Sequence, residues 1–171
     1  MGHFICDQST VVETKAGKLR GFCMDGIYQF RGIRYARAKR FQMPEEPEPW
    51  EGVRDALDYG FKCVGPDQPR RAPHGEVLVP HRYWPESEHC QYLNIWTDSL
   101  EGDTKKAVMV WIHGGGYADG SAIEMEAYDG FRMAKEEGVV FVSLNHRLNV
   151  FGFLDVSDFG EEYANSVNAG I

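Results

Sequence analysis

The chain has 171 residues, of which 43% are hydrophobic and 26% charged, and it carries a net charge of −8. That length can bury one respectable core, and the composition is that of an ordinary soluble globular protein. The acidic balance argues against a nucleic-acid or anionic-membrane partner, and no apolar run approaches the roughly 20 residues needed to span a bilayer.

The first residues, MGHFICDQST, contain neither the basic region nor the apolar stretch of a signal peptide. Cys6 stands where a myristoylation motif requires Ser or Thr. A cytoplasmic location is therefore expected. In chain order, Val11–Thr14 and Leu19–Cys23 flank Lys15-Ala16-Gly17-Lys18 and predict a hairpin. Ile27–Ile33 predicts a third extended run. Residues 31–40 hold five Arg or Lys among aromatics, which reads as a solvated segment with internal ion pairs. Glu45, Glu46 and Glu48 alternate with prolines in an acidic loop that ends at Trp50.

From Gly65 to Pro85 the chain is proline-punctuated and lacks periodicity, a pattern of functional or mobile loops. Tyr83 and Trp84 within it are open to two readings, contact with a ligand or, the favoured one, packing the loop down onto the body. His74, His81 and His89 with Glu76, Glu86 and Glu88 fit no recognised ligand spacing, so no metal site is assigned. Cys6, Cys23, Cys63 and Cys90 likewise form no CxxC pair. Cys90–Trp96 predicts a strand, and Ser99–Lys106 a polar connection. Glu124–Glu137 suits a helix stopped by Gly138, and Val139–Leu144 a further apolar strand.

Between these lies AVMVWIHGGGYADG, residues 107–120. Ala107–Ile112 is apolar at both parities, as suits a strand covered on both faces in the middle of an α/β sheet. The order strand, glycine loop, helix, strand is a βαβ unit, hence a parallel central sheet. Gly114, Gly115 and Gly116 follow the strand at its carboxyl end, where α/β proteins place their chemistry. Without Cβ atoms, backbone N–H groups can converge on an oxygen that gains negative charge. Alone, the triplet reads equally well as a turn that needs positive φ. His113-Gly114-Gly115-Gly116 as a unit is the HGGG-type oxyanion-hole motif of lipases and esterases. No nucleotide signature accompanies it: both GxGxxG and a following Lys-Ser/Thr are missing.

Tyr117, Gly120-Ser121 and Tyr128-Asp129-Gly130 follow the motif; Ser87–Trp96 precedes it; Asn145-His146-Arg147-Leu148 and Phe151-Gly152-Phe153-Leu154 come after. In this order and spacing the chain resembles, from about Val11 to Ile171, the amino-terminal part of a type B carboxylesterase. That is the carboxylesterase and cholinesterase family of α/β-hydrolases. The resemblance implies an α/β-hydrolase fold, here a small amino-terminal β-hairpin sheet plus the first strands of a mostly parallel central sheet. It implies Gly115 and Gly116 as the oxyanion donors and Tyr117 as a pocket-lining aromatic. It pairs Arg40 with Glu88 in a structural salt bridge, although Arg34 replaces an expected proline upstream. It places Cys63 and Cys90 where the family often has a disulfide, whereas a reducing cytosol favours thiols. Arg147 would pair with an aspartate beyond Ile171. His146 and Asn149 replace the family's usual aromatic and glycine; Asn tolerates positive φ, so the backbone there is expected to hold.

Ester hydrolysis on this fold also needs a nucleophile, a base and an acid. No serine in the chain has glycine two residues before and two after, so the G-x-S-x-G elbow is missing. His113 precedes any such elbow and does not qualify as the base, which on this fold follows the serine and the acid. Residues 1–171 are thus expected to be the amino-terminal part of one α/β-hydrolase domain, inactive alone, with the rest supplied as continuation or separate chain. Whole, the expected function is a serine carboxylesterase acting on small-molecule esters without a cofactor. The alternatives are a non-catalytic binding or adhesion module of the same fold, or an inactive truncated fragment that associates through open strand edges.

Overall fold

The structure, a computed structural model, describes residues 3–65, 77, 79–102 and 105–171. Much of the Gly65–Pro85 loop, with His74 and Glu76, lies outside the described residues. Among the described residues, nine strands form two sheets: β1 (Phe4–Ile5), β2 (Val11–Glu13), β3 (Lys18–Arg20), β4 (Phe22–Met24), β5 (Ile27–Arg34), β6 (Val53–Asp55), β7 (Tyr92–Thr97), β8 (Val108–Ile112) and β9 (Val140–Leu144). The main sheet has the order β1-β4-β5-β7-β9-β8, and the small one β2-β3-β6.

The expected hairpin forms between β2 and β3, with Val12 opposite Leu19. The run Leu19–Cys23, however, divides between the two sheets. Gly21 is pinned at the corner: its N–H donates to the Thr10 carbonyl at 3.0 Å, and its own carbonyl accepts from Thr10 Oγ1 at 2.8 Å. β4 then turns back onto β5 in the main sheet. β6 joins β3 in parallel, which brings the Trp50–Ala56 connector onto the small sheet.

The main sheet is mixed. β8 and β9 pair in parallel, as a βαβ unit requires, while β7–β9, β5–β7, β4–β5 and β1–β4 are antiparallel. Alternation along the strands sends apolar side chains to both faces. On one face Ile27, Trp96 and Phe141 pack under Ala134 of helix α1 (Phe131–Glu137). On the other, Phe30 meets Leu19 and Ala56 beneath the small sheet. Trp96 is 1% exposed, stands edge-on to Phe141 at 5.9 Å, and donates its indole N–H to Gln29 Oε1 at 3.1 Å.

The helix is shorter than its sequence pattern. Glu126–Tyr128 forms only a 3-10 turn, and Asp129 is extended at ψ 126°. Its carboxylate accepts the Phe131 N–H at 3.0 Å, satisfying one of the donors that a helix start leaves open and so beginning the helix afresh. Gly138 ends it in the left-handed conformation at φ 63°.

The position of β8 corrects a second expectation. Instead of a covered central strand it is the sheet edge, and all five residues are exposed, Val108 at 62% and Ile112 at 56%. An apolar pattern at both parities reports what a strand is suited to bury; among the described residues β8 meets its neighbour β9 and, through Trp111, the Tyr128 ring at 5.1 Å. Such a flat apolar edge is a template for pairing with another chain. Residues 1–171 studied alone should therefore self-associate in light scattering, and Val110→Lys should suppress this; unchanged association in the variant would place the contact elsewhere. Among the described residues, no helix is long and apolar enough to cross a membrane.

Candidate active site

The glycine loop leaves the carboxyl end of β8 and returns towards α1 through an unusual backbone path. Gly115, Gly116 and Tyr117 have successive φ values of +125°, +63° and +65°. At Gly115 a Cβ would lie 1.8 Å from the Asp119 carbonyl oxygen, so only glycine fits. At Gly116 a Cβ would meet open space, and the constraint is the left-handed backbone alone. The Gly115 carbonyl accepts the N–H groups of Ala118 at 3.1 Å and Asp119 at 3.3 Å, which folds the loop on itself.

The N–H groups of Gly115 and Gly116 donate to no acceptor among the described residues, and both glycines are exposed. Successive free N–H groups on such a turn form a concavity suited to an anionic oxygen.

The loop is anchored from the segment after β9. The Tyr117 carbonyl accepts the Asn149 N–H at 2.7 Å. Asn149 itself is left-handed at φ +45°, and its Nδ2 donates to the Val64 carbonyl at 2.9 Å. Asn145 Oδ1 accepts the Ala122 N–H at 2.7 Å, and its Nδ2 donates to the Phe61 carbonyl at 3.1 Å. Asn145, directly after β9, and Asn149, four residues further on, thus tie the loop to residues 61–64. The Tyr117 ring is 70% exposed and rests edge-on against Phe153 of helix α2 (Asn149–Phe153) at 4.9 Å.

His113 is buried, with Nδ1 2.8 Å from the Gly114 carbonyl, and stacks on His146 at 4.8 Å with 12° between the planes. Burial holds both imidazoles below their usual pKa, so both are neutral at pH 7.

Arg40 and Glu88 form a bidentate pair, Nε–Oε2 at 2.8 Å and Nη2–Oε1 at 3.0 Å, and Arg40 also lies over the Phe151 ring. Glu88 is held below the usual carboxylate range, first by the Arg40 hydrogen bond. The pair is too exposed on the arginine side to be a major stabiliser. Arg147 is 2% exposed, and its guanidinium donates to the carbonyls of Lys39 at 3.0 Å, Gln42 at 2.6 Å and Ala169. Three carbonyls thus receive its N–H groups, while its buried Nε has no partner among the described residues.

Cys63 and Cys90 are free thiols, both buried. The side-chain interaction with Cys63, and then burial, raises the Cys90 thiol pKa above its ordinary value. The Cys63 thiol is lowered, first by the same interaction, and its sulfur accepts the Leu148 N–H at 3.1 Å. Trp84 packs edge-on against Tyr59 at 5.8 Å, whereas Tyr83 is 77% exposed.

The carboxylesterase family profile matches residues 8–168. This chain belongs to the carboxylesterase family. It is 37% identical to the para-nitrobenzyl esterase of Bacillus subtilis over 92% of this chain and 31% of the relative. A Clostridium hathewayi esterase that hydrolyses aliphatic aromatic polyesters superposes with a TM-score of 0.92 at 58% identity, over 99% of this chain and 34% of that one. The Geobacillus stearothermophilus carboxylesterase gives 0.79 at 41%, over 94% and 31%. The chain spans about a third of the length of these relatives.

Within this carboxylesterase segment, sequence reasoning missed the two asparagine clamps and the imidazole stack. Asn145 and His146 follow directly on β9, and that adjacency to a strand end was the available signal. Two consequences are measurable. Gly115→Ala should destabilise the fold by about 3 kcal/mol, combining strain with a backbone clash, and Gly116→Ala by only about 1 kcal/mol. Urea unfolding of both variants checks this, and equal losses would contradict the loop geometry. Mild oxidation should join Cys63 to Cys90 and protect both from iodoacetamide after denaturation; two alkylated cysteines in that peptide pair would show that the sulfurs do not approach.

Proposed function

We propose that this chain supplies the oxyanion hole of a serine carboxylesterase whose nucleophile, acid and histidine lie outside residues 1–171. The observation that carries the reading is the pair of exposed, undonated N–H groups of Gly115 and Gly116, held in a left-handed turn at the end of a parallel strand. Hydrolysis would proceed by serine attack on the ester carbonyl, forming a tetrahedral intermediate whose oxygen carries the negative charge. Gly115 and Gly116 would donate to that oxygen. Expulsion of the alcohol leaves an acyl-enzyme, which water cleaves by the same steps to release the acid.

The loop suits this role because its donors are fixed before charge develops, so little reorganisation accompanies the reaction. Tyr117, exposed beside the donors, would line the entrance for the substrate. Arg40–Glu88 and Arg147 would serve structure, the first as a bidentate pair and the second by holding the carbonyls of Lys39, Gln42 and Ala169. Small-molecule carboxylic esters are the proposed substrates. The likeness to the polyester-hydrolysing esterase extends the proposal to aliphatic–aromatic esters. No nucleic acid, membrane or cofactor enters the proposal, and a cytoplasmic site of action suits the paired thiols. A non-catalytic module of the same fold would have no need of strained, undonated glycines.

The test is hydrolysis of p-nitrophenyl acetate by the complete enzyme. Gly115→Ala, whose Cβ cannot fit beside the Asp119 carbonyl and so must displace the donor N–H groups, should lower kcat by about 10²–10³-fold with a much smaller change in KM. Full activity in this variant would remove the loop from the mechanism.

A further inference from the structure

Beside the glycine loop lies a feature that hydrolysis as such does not require, the face-to-face contact of two buried imidazoles. We propose that His113 and His146 are a positioning pair that holds the glycine loop in its donor conformation only while both rings are neutral, so that acidification releases Gly115 and Gly116.

The geometry dictates the protonation of each ring. His113 Nδ1 faces the Gly114 carbonyl at 2.8 Å, and His146 Nδ1 faces the Arg147 carbonyl at 3.0 Å. A carbonyl only accepts, so both rings carry their hydrogen on Nδ1 and leave Nε2 bare. His113 Nε2 is buried with no partner among the described residues. A proton there would create an N–H with no acceptor and a cation 4.8 Å from a second imidazole. Both costs fall on the stacked arrangement and vanish if the rings separate.

The rings are also coupled to the loop at its start, middle and end. His113 bonds the carbonyl of Gly114, the first glycine. A Cβ at Gly120, where the loop closes, would lie 2.8 Å from His113 Nδ1, so that backbone rests on the ring. His146 meets Phe153 edge-on at 6.4 Å, and the same Phe153 supports Tyr117 at 4.9 Å. Movement of either imidazole is therefore felt across residues 114–120.

The surrounding charges do not cancel this response. Asp119 on the loop favours protonation of His113, but less than burial opposes it. His146 is lowered by burial and further by His113 itself. From α2 the uncharged Phe153 ring faces the pair, edge-on to His146 at 6.4 Å. The Arg147 guanidinium points away to the carbonyls of Lys39, Gln42 and Ala169. A group whose folded pKa is depressed contributes stability above its unfolded value of about 6.5, and that contribution is lost as pH falls through the folded pKa. Acid therefore favours the open loop.

The consequence for catalysis rests on Gly115 and Gly116 being the oxyanion donors; the loop movement itself does not. NMR of the complete enzyme labelled with 15N-histidine and 15N-glycine, titrated from pH 8 to pH 4.5, separates the two. The Gly115 and Gly116 amide signals should shift with the midpoint of the His113–His146 ring nitrogens. In His146→Phe, which keeps an aromatic in the stack but cannot take a proton, the glycine transition should move to lower pH. His146→Tyr provides a second variant with the same expectation. Glycine amides that ignore the histidine titration, or that follow an unchanged curve in both variants, would overturn the proposal. Loss of dispersed glycine signals in both variants at pH 8 would also overturn it, since the imidazole would then serve packing alone. Failure of the complete enzyme to hydrolyse esters would instead sink the esterase reading and leave these shifts as they are.

Discussion

Three successive residues with positive φ, Gly115 to Tyr117, constrain everything around them. Such a path costs of order 1–3 kcal/mol wherever a side chain is present, and it persists only when neighbours over-determine it. Here they do. The Asp119 carbonyl closes the space beside Gly115, the Ala118 and Asp119 N–H groups close the turn, and Asn149 holds the Tyr117 carbonyl. Asn149 is itself left-handed, so strain in the loop is matched by strain in its anchor. What the arrangement produces is a pair of N–H groups with nowhere inside the described residues to donate.

The sheet explains why the loop is where it is. β8 and β9 are parallel, so their carboxyl ends share one side of the molecule. The glycine loop follows β8, and the segment from Asn145 to Asn149 follows β9. The two therefore meet, and the asparagines and the imidazole stack arise at that meeting. The two faces of the sheet are filled by the Trp96 and Phe30 cores.

Much of this was legible in the sequence. The apolar runs located β5, β7, β8 and β9 to within a residue or two, and HGGG after a strand named the loop. Asn149 was legible as a residue able to turn left-handed, and it does so at φ +45°. Other features were not. The edge position of β8 was hidden because its pattern records the burial for which it is built, while its exposure depends on what is packed against it. The break at Asp129 was hidden because helix periodicity does not register a carboxylate that bonds the Phe131 N–H two residues on. The three carbonyl partners of Arg147 were hidden because backbone acceptors carry no residue identity. The His113–His146 stack needed tertiary contact across 33 positions, which local pattern does not encode.

The most direct test is the structure of the complete enzyme inhibited with a fluorophosphonate. The account predicts an adduct on a serine outside residues 1–171, with the phosphoryl oxygen about 2.7–3.1 Å from the nitrogens of both Gly115 and Gly116. An adduct on any serine within residues 1–171, or a phosphoryl oxygen held by other donors, would contradict it.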